Sequence, residues 1–206
     1  MTPTFDKLRP EKKNRILEAA VDEFGLKGFR AGSTDRIINR AGISKGGLYE
    51  YISSKQELYL AAVEYAYDGI YGYLHERIDS GESPLPPGLI ERLRVVNDYA
   101  AEVYLAKPRY IALLAGAAAE REHSLADALE RIFTSRFDSL FASVDRSRFS
   151  RDPEQIFDLI RLLLVKTRNA FLIVREEQQT EREIVRAYLE TWEFYLGVLE
   201  GGIYRN

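Results

Sequence analysis

Between Ser33 and Lys55 the chain sets hydroxyls, a lysine and glycines at spacings suited to gripping a polyanion rather than to making bonds. Ser33 or Thr34 can cap a short helix that carries Ile37, Ile38 and Ala41 inward and stops at Gly42. Ile43 leads to Ser44, a second N-cap, and to a helix of barely two turns through Tyr51. Two short helices parted by Ala41-Gly42-Ile43-Ser44 make a helix-turn-helix, in which glycine takes the turn and Ile43 plugs a small core. The same spacing also occurs as plain structure, so the pattern alone leaves both readings open. Catalytic patterns are scarcer. There is no Gly-x-Ser-x-Gly elbow, no phosphate loop and no dinucleotide fingerprint. With no cysteine, disulfides, thiolate zinc sites and cysteine nucleophiles are excluded. His123 follows Glu120 and Glu122, a weak metal site or a surface histidine among charges, and His75 lies far from it. No metal, no cofactor and no enzymatic activity are expected.

The elements that must hold the Ser33–Lys55 stretch read as helices. Ile16, Leu17, Ala20, Val21 and Phe24 mark one face of a first helix that Gly25 and Gly28 are expected to end. Ser54-Lys55-Gln56-Glu57 is a capping box opening a long helix, along which Val63, Tyr67, Ile70, Tyr71, Leu74 and Ile78 form a face. The stretch Ser80 to Gly88 is linker-like. Beyond it run a stripe of Leu89, Leu93, Val96, Ala100 and Val103, a helix opened by Lys107-Pro108, and a stripe from Leu125 to Phe141 broken by Arg136. Asp152-Pro153-Glu154-Gln155 and Thr180-Glu181-Arg182-Glu183 open the last two helices. No alternating run with hairpin turns appears. The expected fold is all-α with about nine helices, a head at 8–65 containing the helix-turn-helix at 33–52, and a body at 66–206.

Composition agrees with an ordinary folded protein: 206 residues, 46% hydrophobic and 30% charged. The net charge of −3 hides an asymmetry. Residues 1–58 hold 11 Lys/Arg against 8 Asp/Glu, whereas 59–206 hold 18 against 24. A basic head on an acidic body suggests that one end meets a polyanion. Lys7, Arg9, Lys12 and Lys13 add to that field, either touching phosphate or remaining solvated. The first residues lack the apolar core of a signal peptide, and the longest apolar stretch, Tyr110 to Ala119, is half a membrane span. A cytoplasmic protein with no membrane partner is expected.

The wording of the stretch Ala41-Gly42-Ile43-Ser44-Lys45-Gly46-Gly47-Leu48-Tyr49-Glu50-Tyr51-Ile52-Ser53-Ser54-Lys55-Gln56-Glu57-Leu58 resembles the DNA-binding signature of the TetR family of bacterial transcriptional repressors. Ile16 through Phe24, with Gly28-Phe29, resembles that family's first helix, so the likeness covers roughly residues 10–65. The resemblance implies that Ser33 and Thr34 hold a phosphate at the start of the second helix. It implies that Ser44, Lys45, Gly46 and Gly47 bring the recognition helix into the major groove, with Lys45 donating to guanine. Tyr49, Tyr51 and Lys55 match positions that grip the DNA backbone, and Leu48 matches a packing residue. Arg36 is either a phosphate contact or a surface charge. Gly46-Gly47 either permits close backbone approach or leaves the helix frayed until DNA binds. Glu50 either points away or accepts from a cytosine amine.

In the body, Ile156, Ile160, Leu163, Leu164, Phe171 and Val174 cover one side of helix 153–176, while Leu162, Val165, Leu172 and Ile173 cover the other. A helix apolar all round must be buried on both sides. The last helix has a wide face that includes Tyr188, Leu189, Trp192, Tyr195 and Leu196. A homodimer joined through these two helices as a four-helix bundle is expected, with a monomer holding a fully central helix as the alternative. Its two heads then read half-sites of a palindromic double-stranded DNA operator. The resemblance implies a small-molecule effector in the body that releases DNA. Candidate lining residues are Tyr67, Tyr71, Tyr99, Tyr104, Tyr110, Phe133, Phe137 and Phe171, favouring a hydrophobic or aromatic ligand. Arg136 either holds an anionic head group or pairs with a neighbouring carboxylate. A transcriptional activator of the same fold, or a helical homodimer with a structural role, are the other readings.

Overall fold

The computed structural model describes residues 2–80, 85–177 and 180–203. Among these residues there are ten helices and no strand. They are α1 (Pro3–Asp6), α2 (Pro10–Ala31), α3 (Thr34–Ala41), α4 (Lys45–Tyr49), α5 (Lys55–Asp79), α6 (Leu89–Ala106), α7 (Pro108–Ala118), α8 (His123–Phe141), α9 (Pro153–Glu177) and α10 (Glu181–Ile203). The element beyond the nine expected is α1, too short for any periodicity to betray. Of the linker-like stretch Ser80 to Gly88, positions 81–84 lie outside the described residues.

Local chemistry explains most helix starts. Glu57 N donates to Ser54 Oγ at 3.1 Å, and the Glu57 carboxylate accepts from Ser53 N at 2.6 Å, so the box closes one residue earlier than its usual form. Thr180 and Glu183 satisfy one another's amides at α10. Asp152 accepts from Gln155 N at the start of α9. The first helix differs from expectation at its far end. Gly25 does not stop α2; the chain bends at Gly28, where φ is +71°, and resumes one turn to Ala31. A Cβ at Gly25 would lie 3.1 Å from the Arg109 carbonyl, so the missing side chain lets α7 approach α2.

The chain forms two compact units. The first comprises Met1–Gly69 and Arg109–Thr134, the second Ile70–Pro108 and Ser135–Asn206. Residues 109–134 thus group with the amino-terminal segment, whereas the sequence reading divides the chain once, after residue 65. The core of the first unit is built by Ile16, Leu17, Ala20, Val21, Phe24, Ile37, Leu48, Ile52, Leu58 and Tyr59, all buried. Burial pushes the Tyr59 phenol up to about 12. In the second unit the Leu89, Leu93, Val96, Ala100, Val103 stripe is buried as its period requires. A cluster of Phe137, Phe141, Phe149 and Phe157 packs there, with Phe137 and Phe141 stacked at 4.5 Å.

The second unit also buries a guanidinium. Arg92, 2% exposed, donates to the carbonyls of Pro86 (2.7 Å), Leu140 (2.9 Å) and Leu85 (3.5 Å) and to Ser143 Oγ (2.9 Å). Burial lowers its proton affinity below the ordinary arginine value. Arg92 therefore fastens residues 85–86 and the end of α8 to α6, taking the carbonyl of Leu140 in the last turn of α8.

Candidate nucleic-acid interface

The turn between α3 and α4 is set by Gly42, whose φ of +64° puts it in the left-handed region that other residues avoid. Ile37, Ile38 and Ala41 bury the inner side of α3, and Leu48 alone anchors α4. Ser44 caps α4 by accepting from Gly47 N at 3.0 Å. A Cβ at Gly47 would sit 3.0 Å from that same hydroxyl, whereas one at Gly46 would meet nothing. Gly47 thus serves the cap, and the outer surface at Gly46 is open to a large partner.

Lys45 leads α4 with its side chain 67% exposed and holds Asp35 of α3 at 3.1 Å. Hydrogen bonding to that carboxylate raises the lysine above its ordinary value, so it is charged at any working pH. An exposed pair of this kind is held weakly. Tyr49 is exposed one turn further along α4, and Glu50 is exposed at its end. Ser44, Lys45, Gly46 and Tyr49 therefore lie together on the accessible part of the motif.

The remaining expected contacts have other employment. Glu23 of α2 places one carboxylate oxygen at the start of α3, accepting from Ser33 N at 2.9 Å and from Arg36 Nε and a terminal Arg36 nitrogen at 2.9 and 2.5 Å. Arg36 also donates to the Ala31 carbonyl. An internal carboxylate thus stands at the start of α3, beside Ser33 and Thr34, and Arg36 is paired with it. Tyr51 is buried, tilted against Phe5 of α1 at 6.3 Å, and its hydroxyl accepts from Lys12 Nζ at 2.9 Å. Lys55 donates to the Arg30 carbonyl at 3.0 Å and lies over the Phe29 ring, closing the end of α2.

Sequence reasoning missed Thr2, whose amide and hydroxyl donate to the carbonyls of Tyr51 (3.0 Å) and Glu50 (2.8 Å) and so tie α1 to the end of α4. It also missed Asp22, which takes Arg40 and both carboxylate contacts of Arg109 (2.7 and 2.8 Å). Nothing in the spacing of these residues signals such distant pairs. Glu23 supplies a testable case. Arg36 holds its carboxyl below the ordinary glutamate value of 4.5. A depressed folded value stabilises the fold above the unfolded value, and that contribution is lost as pH falls through the folded one. Glu23→Gln should lower Tm by about 3 °C at pH 7. The gap should close as the pH drops through Glu23's lowered value, read by melting curves across an acid series.

The expected ligand residues separate into small groups. In the first unit Tyr67 stacks on Phe133 at 5.9 Å, while Tyr110 donates to Glu18, which also takes the Tyr65 hydroxyl at 3.0 Å. Burial, then Glu18, pushes the Tyr110 phenol well above the tyrosine range. In the second unit Tyr104 meets Phe171 edge-on at 5.4 Å, Tyr99 lies under the Arg77 guanidinium, Tyr71 is buried, and Arg136 reaches Ser135 Oγ at 3.4 Å. Phe137 helps line a cleft of about 260 Å³ with Phe141, Phe157, Arg146 and Arg161.

The expected dimer residues divide as well. Tyr188, Trp192 and Leu196 are buried within the chain itself, where the inner side of α10 packs on α6 and α9, so they are not free to meet a second copy. Exposed apolar side chains on the same helices are Leu162 (63%) and Ile173 (58%) on α9, and Phe194 (68%) and Val198 (64%) on α10. Val165, Leu172, Leu189 and Tyr195 are half-buried. Among the described residues no His, Asp and Glu cluster could hold a metal, and no helix is long and apolar enough to cross a membrane.

Comparison with known proteins gives this geometry a lineage. The family described as bacterial regulatory proteins, tetR family, matches residues 16–62, the stretch from the buried face of α2 through α3 and α4 into α5. The HTH-type transcriptional activator FasR of Mycolicibacterium smegmatis is 42% identical over 62 residues, 30% of this chain and 28% of that protein. The biofilm operon icaADBC HTH-type negative transcriptional regulator IcaR of Staphylococcus epidermidis is 26% identical over 155 residues, 74% of this chain and 80% of that one. The chain spans about a quarter of the length of FasR and of two further curated relatives that it matches. A crystal structure of a TetR family transcriptional regulator from Chloroflexus aurantiacus shares the fold at TM-score 0.65 and 19% identity, covering 100% of this chain and 99% of that one. Residues 16–62 thus match the tetR family of bacterial regulatory proteins, and the fold is the one seen in solved TetR family structures.

Proposed function

We propose that the chain is a cytoplasmic, homodimeric transcriptional repressor, not an enzyme, that binds a palindromic DNA operator and is released by a small hydrophobic or aromatic effector. The observation that carries this reading is the accessible end of α4, where Ser44, Lys45, Gly46 and Tyr49 share one exposed part of a helix-turn-helix held rigid from behind by Leu48. Lys45 is the base-reading residue, donating to guanine, and the neighbouring groups grip phosphate. The exposed apolar residues of α9 and α10 support pairing with a second copy, which supplies the second recognition helix. Repression is favoured over activation because the relative matched over most of its length is a negative regulator, whereas FasR is matched over 62 residues only. Effector binding acts by favouring one of two head arrangements, which requires different affinity for each.

Asp35 offers a direct check on the role of α4. Its carboxylate neutralises Lys45 and stands in the first turn of α3, where DNA phosphates would repel it. Asp35→Asn should tighten binding to operator and to unrelated duplex alike by about threefold to tenfold at low salt, leaving their ranking unchanged. Fluorescence anisotropy against both duplexes measures this; an unaltered affinity would mean that Lys45 does not face DNA.

A further inference from the structure

The cleft of about 260 Å³ in the second unit is lined by charge, and nothing in DNA binding uses it. The end of α8, the loop that follows and the start of α9 form its walls. Phe137, Phe141 and Phe157 stand behind it, all three buried. Two guanidiniums lie over ring faces and line the opening: Arg161, 5.0 Å from the Phe137 centroid, and Arg146, 4.7 Å from that of Phe157. Such ring contacts hold a guanidinium in place without engaging its N–H groups in ordinary hydrogen bonds.

Each guanidinium carries five N–H donors. Among the described residues each of these two makes one hydrogen bond, Arg161 Nη1 to Asp158 and Arg146 Nη1 to Glu154 at 3.4 Å. The Arg161 side chain is 16% exposed, its buried Nε has no hydrogen-bond partner, and its Nη2 stands 3.8 Å from Asp138, too far for a hydrogen bond. Nε and Nη2 form the edge with which arginine takes two oxygens of one anion. Asp138 and Glu154 also line the cleft, but each is more exposed than the arginine it faces, and such pairs are held loosely. A group with several acceptor oxygens that took the place of Asp138 would satisfy the open edge. A phosphate is such a group, and its two charges suit two cations. The volume is below the usual range for drug-sized ligands, which points to a compact body. We propose that this cleft is an anion site, in which Arg146 and Arg161 share the phosphate of a small organic phosphate while Asp138 and Glu154 turn to solvent. The site lies apart from α4 and does not depend on the regulator reading.

Calorimetry on the full chain tests this at fixed ionic strength and about pH 8, well above the second phosphate pKa of roughly 6. The probes are glycerol 3-phosphate, inorganic phosphate, acetate and glycerol. Both phosphates should bind at least about tenfold more tightly than acetate, with glycerol 3-phosphate the tighter of the two and glycerol silent. Arg146→Gln and Arg161→Gln should each weaken glycerol 3-phosphate by about tenfold or more. Asp138→Asn removes a competing carboxylate and should tighten it by about threefold, a gain that misfolding does not produce. Equal affinity for acetate and the phosphates would overturn the proposal, as would weaker binding in Asp138→Asn. Unaltered affinity in both arginine variants would place the anion on the basic head instead and would overturn it too. Tighter binding of inorganic phosphate than of glycerol 3-phosphate would overturn the organic body.

Discussion

Phe194→Glu combined with Val198→Glu is expected to give a folded monomer that binds a two-half-site operator about 10²- to 10⁴-fold more weakly than the wild type. The two side chains lie one turn apart on α10, 68% and 64% exposed, so the replacements cost the chain little beyond the Phe194–Tyr195 ring contact. In a dimer joined through α9 and α10 they would be desolvated against an apolar partner face, where four glutamates cannot be accommodated. The loss in affinity follows from geometry rather than from any change in the head. A dimer binds its second half-site as an intramolecular event, and a monomer forfeits that effective concentration. Sedimentation equilibrium with an operator titration checks both halves of the result. A variant that remains dimeric, or a monomer with undiminished affinity, would remove α10 from the interface.

Arg92→Leu is expected to destabilise the second unit by about 3 kcal/mol, lowering Tm by about 6–12 °C. Leucine fills much of the volume, so the cost is electrostatic. The carbonyls of Leu85, Pro86 and Leu140 and the Ser143 hydroxyl lose their shared donor in a place that water reaches poorly. Arg92→Lys should recover only part, because one ammonium cannot span acceptors that a planar guanidinium reaches on several edges. Circular dichroism melts of the three proteins separate these outcomes. Equal melting temperatures would show that the guanidinium is not what fastens residues 85–86 to the end of α8.

The difference between what spacing disclosed and what it concealed has a physical origin. Helix starts are local: Ser54 with Glu57, Asp152 with Gln155, and Thr180 with Glu183 interact within a few residues, so the chain order displays them. The same holds for Gly42 and Ser44, whose turn and cap define the helix-turn-helix. Pairings over long separations leave no such trace. Arg36 reaches back to Glu23, Lys55 to the Arg30 carbonyl and Lys12 to Tyr51, which is why three residues expected on DNA are engaged within the head. Periodicity also shows that α10 is apolar on a wide arc without telling which edge turns inward. Tyr188, Trp192 and Leu196 take the core, and Phe194 and Val198 take the surface. The four residues of α1 carry Pro3 and Phe5 but no repeating pattern, so only the fold reveals that Phe5 is buried beside Tyr51.

The central claim is that the exposed end of α4 reads a DNA sequence, with Lys45 as the reading residue. Selection of duplexes from a random pool at moderate salt, run in parallel on wild type and Lys45→Ala, tests it most directly. The wild type is expected to enrich one two-fold symmetric sequence. The variant should lose about tenfold discrimination at one position in each half-site, the worth of a good lysine–guanine contact. Enrichment of the same sequence with the same discrimination by both proteins, or of no sequence by either, would contradict it.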